Sequence, residues 1–146
     1  EAATRLQGQV DRAVEQGATV ATGGGSRDGA YYPATVLTGV TSDMDAYGEE
    51  FFGPVGVVYR VADEDAAVKL ANDTSFGLGS YVYSNDPAQA ARVADRIDAG
   101  MVYINIVGAD SPELPFGGVK RSGTARELGL LAADEFVNKK LIRTAG

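Results

Sequence analysis

Residues 49–54 carry the side chains best suited to bind a ligand. Glu49 and Glu50 are adjacent carboxylates, and because neighbouring side chains point to different sides, at most one of them needs to face a ligand. A carboxylate accepts two hydrogen bonds side by side, which suits the vicinal hydroxyls of a ribose. The ring of Phe52 could rest against a flat heterocycle. The same segment could instead be a solvated turn before a buried strand, and the residues alone leave both interpretations open.

A second candidate segment, residues 111–123, contains two prolines and three glycines and is predicted to form an irregular loop. Solvation poorly explains a bulky ring at Phe116 inside such a loop. That ring therefore either fills the core or lines a pocket. Lys120 and Arg121, which follow it, favour a solvated turn over an anion clamp.

Gly23, Gly24 and Gly25 form a third segment that resembles a phosphate-binding loop only superficially. No Lys-Ser or Lys-Thr pair follows them, and their spacing differs from that of the dinucleotide-binding fingerprint. The three glycines are therefore predicted to form a flexible turn.

The chain of 146 residues contains no cysteine and no histidine. It therefore has no thiolate or Ser-His-Asp nucleophile of its own, and it lacks the ligands on which nearly all zinc and haem sites depend. We expect neither a metal site nor a catalytic residue within this sequence. The lack of cysteine also agrees with a reducing compartment, so a cytoplasmic location is expected.

The charge and the apolar pattern limit the possible partners. The net charge is −7, from 13 basic and 20 acidic residues, and no cluster of lysine and arginine is longer than two. This distribution speaks against nucleic acid. No apolar run approaches the ~20 residues of a membrane span, so no membrane partner is expected. Because the chain lacks an initiator methionine and opens part-way into a helical pattern, we interpret it as a fragment.

Helical and extended patterns alternate along the chain. Leu6, Val10 and Ala13 recur at helical spacing, and Asp63 and Asp86 are placed to cap two later helices. Three strands are predicted at residues 55–61, 80–84 and 101–105. Short strand–helix–strand connections favour right-handed crossovers and parallel strands.

The sequence therefore predicts an α/β fold, with a largely parallel sheet and flanking helices, in a single partial domain that spans residues 1–146. The continuous apolar run at residues 55–61 indicates a strand buried on both faces. Gln89 is placed to complete a capping-box-like pair with the cap of its helix. Ligands of open parallel sheets bind outside the carboxyl ends of the strands, here the loops after Val61, Ser84 and Asn105.

Several segments together carry a resemblance to the aldehyde dehydrogenases. One such segment would be weak, but six occur in the family's order and span essentially the whole chain. They are residues 33–37 (PATVL), 49–55 (EEFFGPV, the glutamate-phenylalanine-glycine-proline signature), 71–78 (ANDTSFGL), 100–105 (GMVYIN), 115–120 (PFGGVK) and 126–129 (RELG).

The resemblance implies the carboxy-terminal part of a catalytic domain from an oxidoreductase that uses NAD or NADP to convert an aldehyde into a carboxylic acid. In that family a cysteine thiolate attacks the aldehyde, hydride passes to the nicotinamide, and a water activated by a glutamate hydrolyses the thioester. The resemblance places both the cysteine and that glutamate in segments before Glu1. The isolated fragment is therefore expected to be inactive.

The resemblance also implies roles for four residues of this sequence. Glu50 matches the carboxylate that binds the nicotinamide ribose, and Phe52 matches the ring beside the nicotinamide. Phe116 matches an aromatic residue of the substrate tunnel. Residues 111–121 are most similar to the succinate-semialdehyde dehydrogenases, in which a serine at the position of Ser111 helps to hold the distant carboxylate of the substrate. Otherwise Ser111 merely caps the loop.

The end of the chain and two departures from the family pattern complete these expectations. Residues 136–146 resemble the end of the catalytic domain leading into an oligomerisation strand, so a homo-oligomer is expected, with the remainder of the polypeptide and a small-molecule aldehyde as further partners. Ala125 stands where the family usually has glycine, and Phe51 is bulkier than the usual branched aliphatic residue, so local shifts are expected at both.

The alternative to an aldehyde dehydrogenase fragment is a non-catalytic α/β binding or scaffolding module that retained the fold.

Overall fold

A computed structural model of the chain describes residues 1–108 and 111–146. The chain divides into two compact units, Glu1–Val61 and Ala62–Gly146. Each unit combines helices with a small sheet, so the predicted α/β class is confirmed. The expectation of a single partial domain stays a prediction.

The first unit contains two helices and a three-stranded sheet. Its elements are α1 (Ala2–Glu15), β1 (Thr19–Thr22), β2 (Thr35–Thr38), α2 (Asp45–Gly48) and β3 (Val55–Val57). The strand order is β1-β2-β3; β1 pairs with β2 antiparallel, and β2 pairs with β3 parallel.

The core of the first unit lies on the apolar face of α1. Leu6, Val10 and Ala13 are buried there, as their helical spacing predicts, and they cluster with Leu37 and Val40. Leu37 on the central strand is fully buried. Because full burial of a leucine side chain stabilises a protein by roughly 1.5–3 kcal/mol, this contact fixes α1 against the sheet.

The second unit contains a two-stranded parallel sheet with helices in its connections. Its elements are α3 (Glu64–Asn72), β4 (Gly79–Val82), α4 (Pro87–Asp95), β5 (Met101–Ile104), a single 3-10 turn (Lys120–Ser122) and α5 (Ala132–Glu135). The pairing of β4 with β5 sets Gly79 beside Met101 and Tyr81 beside Tyr103. Two of the three strand pairings in the described chain are therefore parallel, as predicted.

The helix caps of the second unit follow the prediction in part. The Asp63 side chain accepts a hydrogen bond from the Ala66 N–H at 2.8 Å, and Asp86 accepts one from the Ala88 N–H at 2.9 Å. The capping-box role predicted for Gln89 is wrong. Its Oε1 accepts from the Ser84 hydroxyl at 2.7 Å, and that hydroxyl oxygen accepts from the Asp86 N–H. Ser84 thus takes the place predicted for Gln89.

The strand predicted at residues 55–61 differs from the structure in extent, burial and partner. Only Val55–Val57 forms strand, and Val58 and Val61 are exposed, so burial on both faces is wrong for the described chain. β3 pairs with β2, whereas β4 pairs with β5 in a separate sheet. Hydrophobic periodicity identifies a strand but carries no information about the strand that pairs with it. This explains the difference in partner.

The last residues form neither helix nor strand. Residues 137–146 have no regular structure, and the side chains of Leu141 and Ile142 are almost fully exposed. A strand needs a second strand to pair with, so the oligomerisation strand stays a prediction. Across the described residues, the longest helix is too short and too polar to cross a membrane.

Candidate functional site

The segment after α2 uses one of its two adjacent carboxylates as a structural anchor. The Glu49 carboxylate accepts two hydrogen bonds from one guanidinium nitrogen of Arg12, at 2.8 Å and 3.0 Å. It also accepts a hydrogen bond from the side-chain amide of Gln9 at 3.1 Å. The backbone at Glu49 is extended, with φ −83° and ψ 145°. Because side chains alternate along an extended backbone, a Glu49 that faces α1 turns the next side chain away.

The second carboxylate, Glu50, is exposed, and its side chain has no partner among the described residues. Phe52 is 72% exposed, which is unusual for so large an apolar ring. The structure therefore leaves free the two side chains that the sequence singles out as a ribose acceptor and a ring platform. It engages Glu49 elsewhere, in agreement with the prediction that at most one of the pair faces a ligand.

Close packing against α1 fixes the backbone beneath these side chains. A Cβ at Gly53 would overlap the end of the Leu6 side chain, so any larger residue here would require Leu6 to shift. The Pro54 carbonyl accepts a hydrogen bond from the Thr35 N–H at 2.8 Å and ties the segment to β2. Phe51 packs against the core of the first unit. The bulk of Phe51 is thus absorbed by the core, on the side away from Phe52.

Phe116 lies in the second unit, where it lines a pocket. A pair of backbone hydrogen bonds with Glu127, both 2.7 Å, holds Phe116 in place. The cavity beside its ring has a volume of about 340 Å³ and is lined by Leu78, Gly79, Tyr81, Met101, Tyr103, Gly108 and Phe116. Of the two interpretations that the sequence left open, core plug or pocket wall, the structure supports the pocket wall.

This pocket lies over one face of the β4–β5 pair, because its lining residues alternate along both strands. The expected ligand position outside the carboxyl ends of the strands stays a prediction, and the pocket includes Gly108 and Phe116, which follow Asn105 in one of the three expected loops. The rings of Tyr81 and Tyr103 stack with centroids 5.6 Å apart. Sequence reasoning missed both tyrosines, since their contact depends on strand register, although each stands at an alternate position of a predicted strand.

Ser111 lies next to Phe116, and the two side chains line the same small gap. The Ser111 hydroxyl donates a hydrogen bond to the Glu113 carboxylate. That hydrogen bond lowers the pKa of Glu113 below its usual value. The structure thus brings Ser111 and Phe116 together, but it directs the serine proton toward a neighbouring carboxylate.

Asn105 and Gly117 make close contacts with the backbone at the ends of β4 and β5. Asn105, with φ +54°, accepts a hydrogen bond from the Ser84 N–H and donates one to the Ser84 carbonyl, both 2.9 Å. Its amide is therefore engaged by the backbone. A Cβ at Gly100 would overlap the Gly117 carbonyl, so the loop approaches β5 closely. Both contacts shape the segment that carries Phe116.

The basic residues after Phe116 have structural partners. Lys120 donates a hydrogen bond from its ammonium group to the Asn72 carbonyl at 2.8 Å, and the Arg121 guanidinium lies over the Phe76 ring. Because both side chains already have partners, the structure favours a turn at Lys120 and Arg121 over an anion-binding site. Ala125 does not have a positive φ, whereas Leu128 and Gly129 do, at +62° and +61°; the difference in the turn expected at Ala125 stays a prediction.

Gly23, Gly24 and Gly25 all have positive φ, between 73° and 90°, and connect β1 toward β2. The Gly24 N–H donates to the Thr35 hydroxyl at 2.9 Å, as expected for a turn.

Within residues 1–108 and 111–146, no group of three acidic side chains could hold a metal ion.

The four predicted site residues fall into two pairs. Glu50 and Phe52 belong to the first unit, and Ser111 and Phe116 belong to the second. In the first unit, an exposed carboxylate without a side-chain partner in the described chain stands two residues from an exposed aromatic ring.

The aldehyde dehydrogenase family model matches residues 1–142, and the chain belongs to this family. It is 55% identical over 145 residues to the succinate-semialdehyde dehydrogenase [NADP(+)] of Deinococcus radiodurans, covering 98% of this chain and 30% of that protein. It is 52% identical over 136 residues to the enzyme of that name from Mycobacterium avium, covering 92% of this chain and 29% of that protein. The chain thus spans about three-tenths of the length of these relatives.

Solved structures agree with this assignment. The succinic semialdehyde dehydrogenase of Streptococcus pyogenes, solved in complex with NADP+, matches with a TM-score of 0.92 and 39% identity, over 99% of this chain and 32% of that one. The betaine aldehyde dehydrogenase of Staphylococcus aureus, in complex with NAD+, matches with a TM-score of 0.87 and 36% identity, over 92% and 28%. The predicted family and fold are confirmed.

Proposed function

We propose that the chain is the carboxy-terminal part of an NADP+-dependent succinate-semialdehyde dehydrogenase. The whole protein would oxidise succinate semialdehyde to succinate, with a cysteine thiolate supplied by the remainder of the polypeptide. The relatives at 55% and 52% identity carry this activity and this cofactor in their names. The absence of cysteine from this sequence is consistent with a nucleophile that lies elsewhere.

One observation carries the cofactor part of the proposal: the unequal use of two adjacent carboxylates. Arg12 and Gln9 engage Glu49, whereas the Glu50 carboxylate has no partner within the described chain and stands near the exposed ring of Phe52. A free carboxylate can accept hydrogen bonds from both hydroxyls of a ribose, and an exposed ring can cover a flat heterocycle. These residues fit the ribosyl end of a nicotinamide cofactor.

Each of these residues has a defined task in the proposed reaction. When bound, the cofactor supplies the hydride acceptor. Glu50 orients the ribose, and Phe52 limits the movement of the attached ring and shields it from water. Correct orientation lowers the entropic part of the barrier to hydride transfer.

Phe116 and Ser111 would act at the substrate end. Phe116 offers an apolar wall for the methylene groups of the aldehyde, beside the stacked pair of Tyr81 and Tyr103. Ser111 would donate a hydrogen bond to the distant carboxylate of the substrate. For this donation its hydroxyl must rotate away from Glu113, to which it donates in the present structure.

The proposed partners follow from the family and the missing parts of the site. They are the aldehyde, the remainder of the same polypeptide and further copies of the same protein. The proposed location is the cytoplasm, because a reducing compartment keeps a catalytic thiol available.

The full-length protein tests this function directly. Formation of NADPH is followed by absorbance with succinate semialdehyde and, for comparison, with butanal, which lacks the carboxylate. We expect a higher kcat/KM for succinate semialdehyde, and we expect Glu50→Gln to raise the KM for NADP+ or to slow hydride transfer. Absence of turnover with any aldehyde would contradict the proposed function, and unchanged kinetics of Glu50→Gln would remove Glu50 from the site.

A further inference from the structure

The polar side of helix α1 faces the segment that carries Glu50. Gln9, Arg12 and Gln16 are spaced by three and then four residues, so they share one face of the helix. We name these three residues the α1 polar stripe. All three contact α2 or the two glutamates that follow it.

The carboxyl-terminal half of the α1 polar stripe holds the start of α2. The Asp45 N–H donates a hydrogen bond to the Gln16 side-chain oxygen at 2.9 Å. The Arg12 Nε lies 3.5 Å from the Asp45 carboxylate, and its Nη2 binds both oxygens of Glu49. Arg12 therefore bridges the beginning of α2 and the residue just after its end.

The other end of the α1 polar stripe reaches Glu50 itself. Gln9 is a buried polar side chain, 9% exposed. Its amide nitrogen donates to the Glu49 carboxylate at 3.1 Å and to the backbone carbonyl of Glu50 at 3.2 Å. Because amide donors buried this deeply are costly to leave unpaired, both hydrogen bonds restrain the segment.

We propose that Gln9 and Arg12 are positioning residues that set the direction of the Glu50 carboxylate. They fix the Glu49 side chain toward α1 and hold the Glu50 carbonyl, so the extended backbone directs the Glu50 side chain away from the helix. The inference rests on the proposed role of Glu50 as the acceptor for the ribose hydroxyls. Neither Gln9 nor Arg12 touches the cofactor in this scheme.

The test uses the full-length enzyme with Arg12→Met and Gln9→Met, two changes to an unbranched apolar side chain that remove the donors. Because the ion pair between Arg12 and Glu49 is partly exposed, we expect its loss to raise the KM for NADP+ about threefold to fivefold. The KM for succinate semialdehyde should stay unchanged. Arg12→Lys should give an intermediate value, because lysine keeps the charge but loses the planar guanidinium. Arg5→Met is the matched control, since Arg5 is exposed on the same helix and its side chain has no partner in the described chain.

A double-mutant cycle separates positioning from a general effect on stability. If Arg12 acts through Glu50, Arg12→Met should raise the KM for NADP+ in the wild-type background but not in Glu50→Gln. An equal rise in both backgrounds would overturn the proposal, as would wild-type KM values for both methionine variants. If Glu50→Gln itself leaves the KM and hydride transfer unchanged, the ribose role of Glu50 fails, and the positioning role fails with it.

Discussion

Glu49 and Glu50 are chemically identical neighbours, and their surroundings give them different tasks. Glu49 is bound by a guanidinium and an amide, whereas Glu50 has no side-chain partner in the described structure. A similar contrast separates Ser111 and Phe116, which share one small gap. The ring faces that gap as a wall, but the serine proton is directed to Glu113. At the scale of single residues, hydrogen-bond partners determine which side chain remains available to a ligand.

The contact between Ser111 and Glu113 leads to a prediction about substrate charge. Glu113 holds the serine proton and, as an ionised group, repels a carboxylate on the substrate. In the full-length enzyme, Glu113→Gln should lower the KM for succinate semialdehyde about twofold to fivefold, the size expected for one exposed like-charge contact. Ser111→Ala should raise that KM, and steady-state kinetics with butanal should show neither change.

The uncharged aldehyde is the control for this pair of variants, because it lacks the carboxylate that Ser111 would bind. Equal effects on both aldehydes would reduce Ser111 to a structural cap of its loop. An increase in the KM for succinate semialdehyde in Glu113→Gln would mean that Glu113 orients Ser111 and does not compete for its proton.

At the scale of elements, an ion-pair network joins α3 to α4. Arg92 binds the two oxygens of Glu64 at 2.9 Å and 2.8 Å, and Arg96 reaches Glu64 at 3.3 Å and Asp65 at 2.7 Å. The hydrogen bonds from Arg92 lower the pKa of Glu64 to about 2. These ion pairs tie α3 to α4, which packs on β4 and β5.

This network predicts a specific acid sensitivity. The pKa of Glu64 is lower in the folded state, so its contribution to stability is present above the usual value of 4.5 and is lost as the pH falls to about 2. The difference in free energy of unfolding between the wild type and Glu64→Gln should therefore be largest above pH 4.5 and shrink toward pH 2. Denaturant unfolding of the full-length protein, followed by circular dichroism at several pH values, measures this difference.

A surface glutamate without partners provides the control for this prediction. Glu15→Gln removes an exposed carboxylate at the end of α1 that forms no hydrogen bond or ion pair within the described residues. Its effect on unfolding should be small at every pH. A pH-independent difference for Glu64→Gln would show that the pKa of Glu64 is not lowered by folding.

Local features of these elements could be predicted from the sequence, whereas their pairing could not. Asp63 and Asp86 cap their helices as expected, because a cap depends on residues two or three positions away. The neighbour of β3 and the stacking of Tyr81 on Tyr103 depend on which strands meet and in what register. No local pattern contains that information.

The candidate site follows the same division. Glu50 and Phe52 could be identified because they stand within one short motif. Gln9 escaped detection because its partner Glu49 is 40 residues away in sequence and the two residues meet only where α1 packs against α2. The available signal was a glutamine close to Leu6, Val10 and Ala13, at the boundary between the apolar and polar sides of α1.

At the scale of the whole molecule, large apolar side chains remain exposed near the end of the chain. Leu130, Phe136 and Leu141 are 97%, 87% and 90% exposed. Large apolar side chains with so much exposed surface are typical of regions that other protein segments cover. We expect the remainder of the polypeptide and further copies of the protein to cover it.

The distribution of chemistry over the whole polypeptide gives the last prediction. Without cysteine and histidine, the 146-residue chain contains no side chain able to form the thioester on which the proposed oxidation depends. The purified chain should therefore produce no NADPH from succinate semialdehyde and NADP+, while the full-length protein at the same concentration does. Absorbance of the reduced cofactor measures both. Turnover by the short chain would require a nucleophile other than a thiol and would contradict the division of labour proposed for this enzyme, in which this segment binds and orients and the rest of the polypeptide supplies the reacting sulfur.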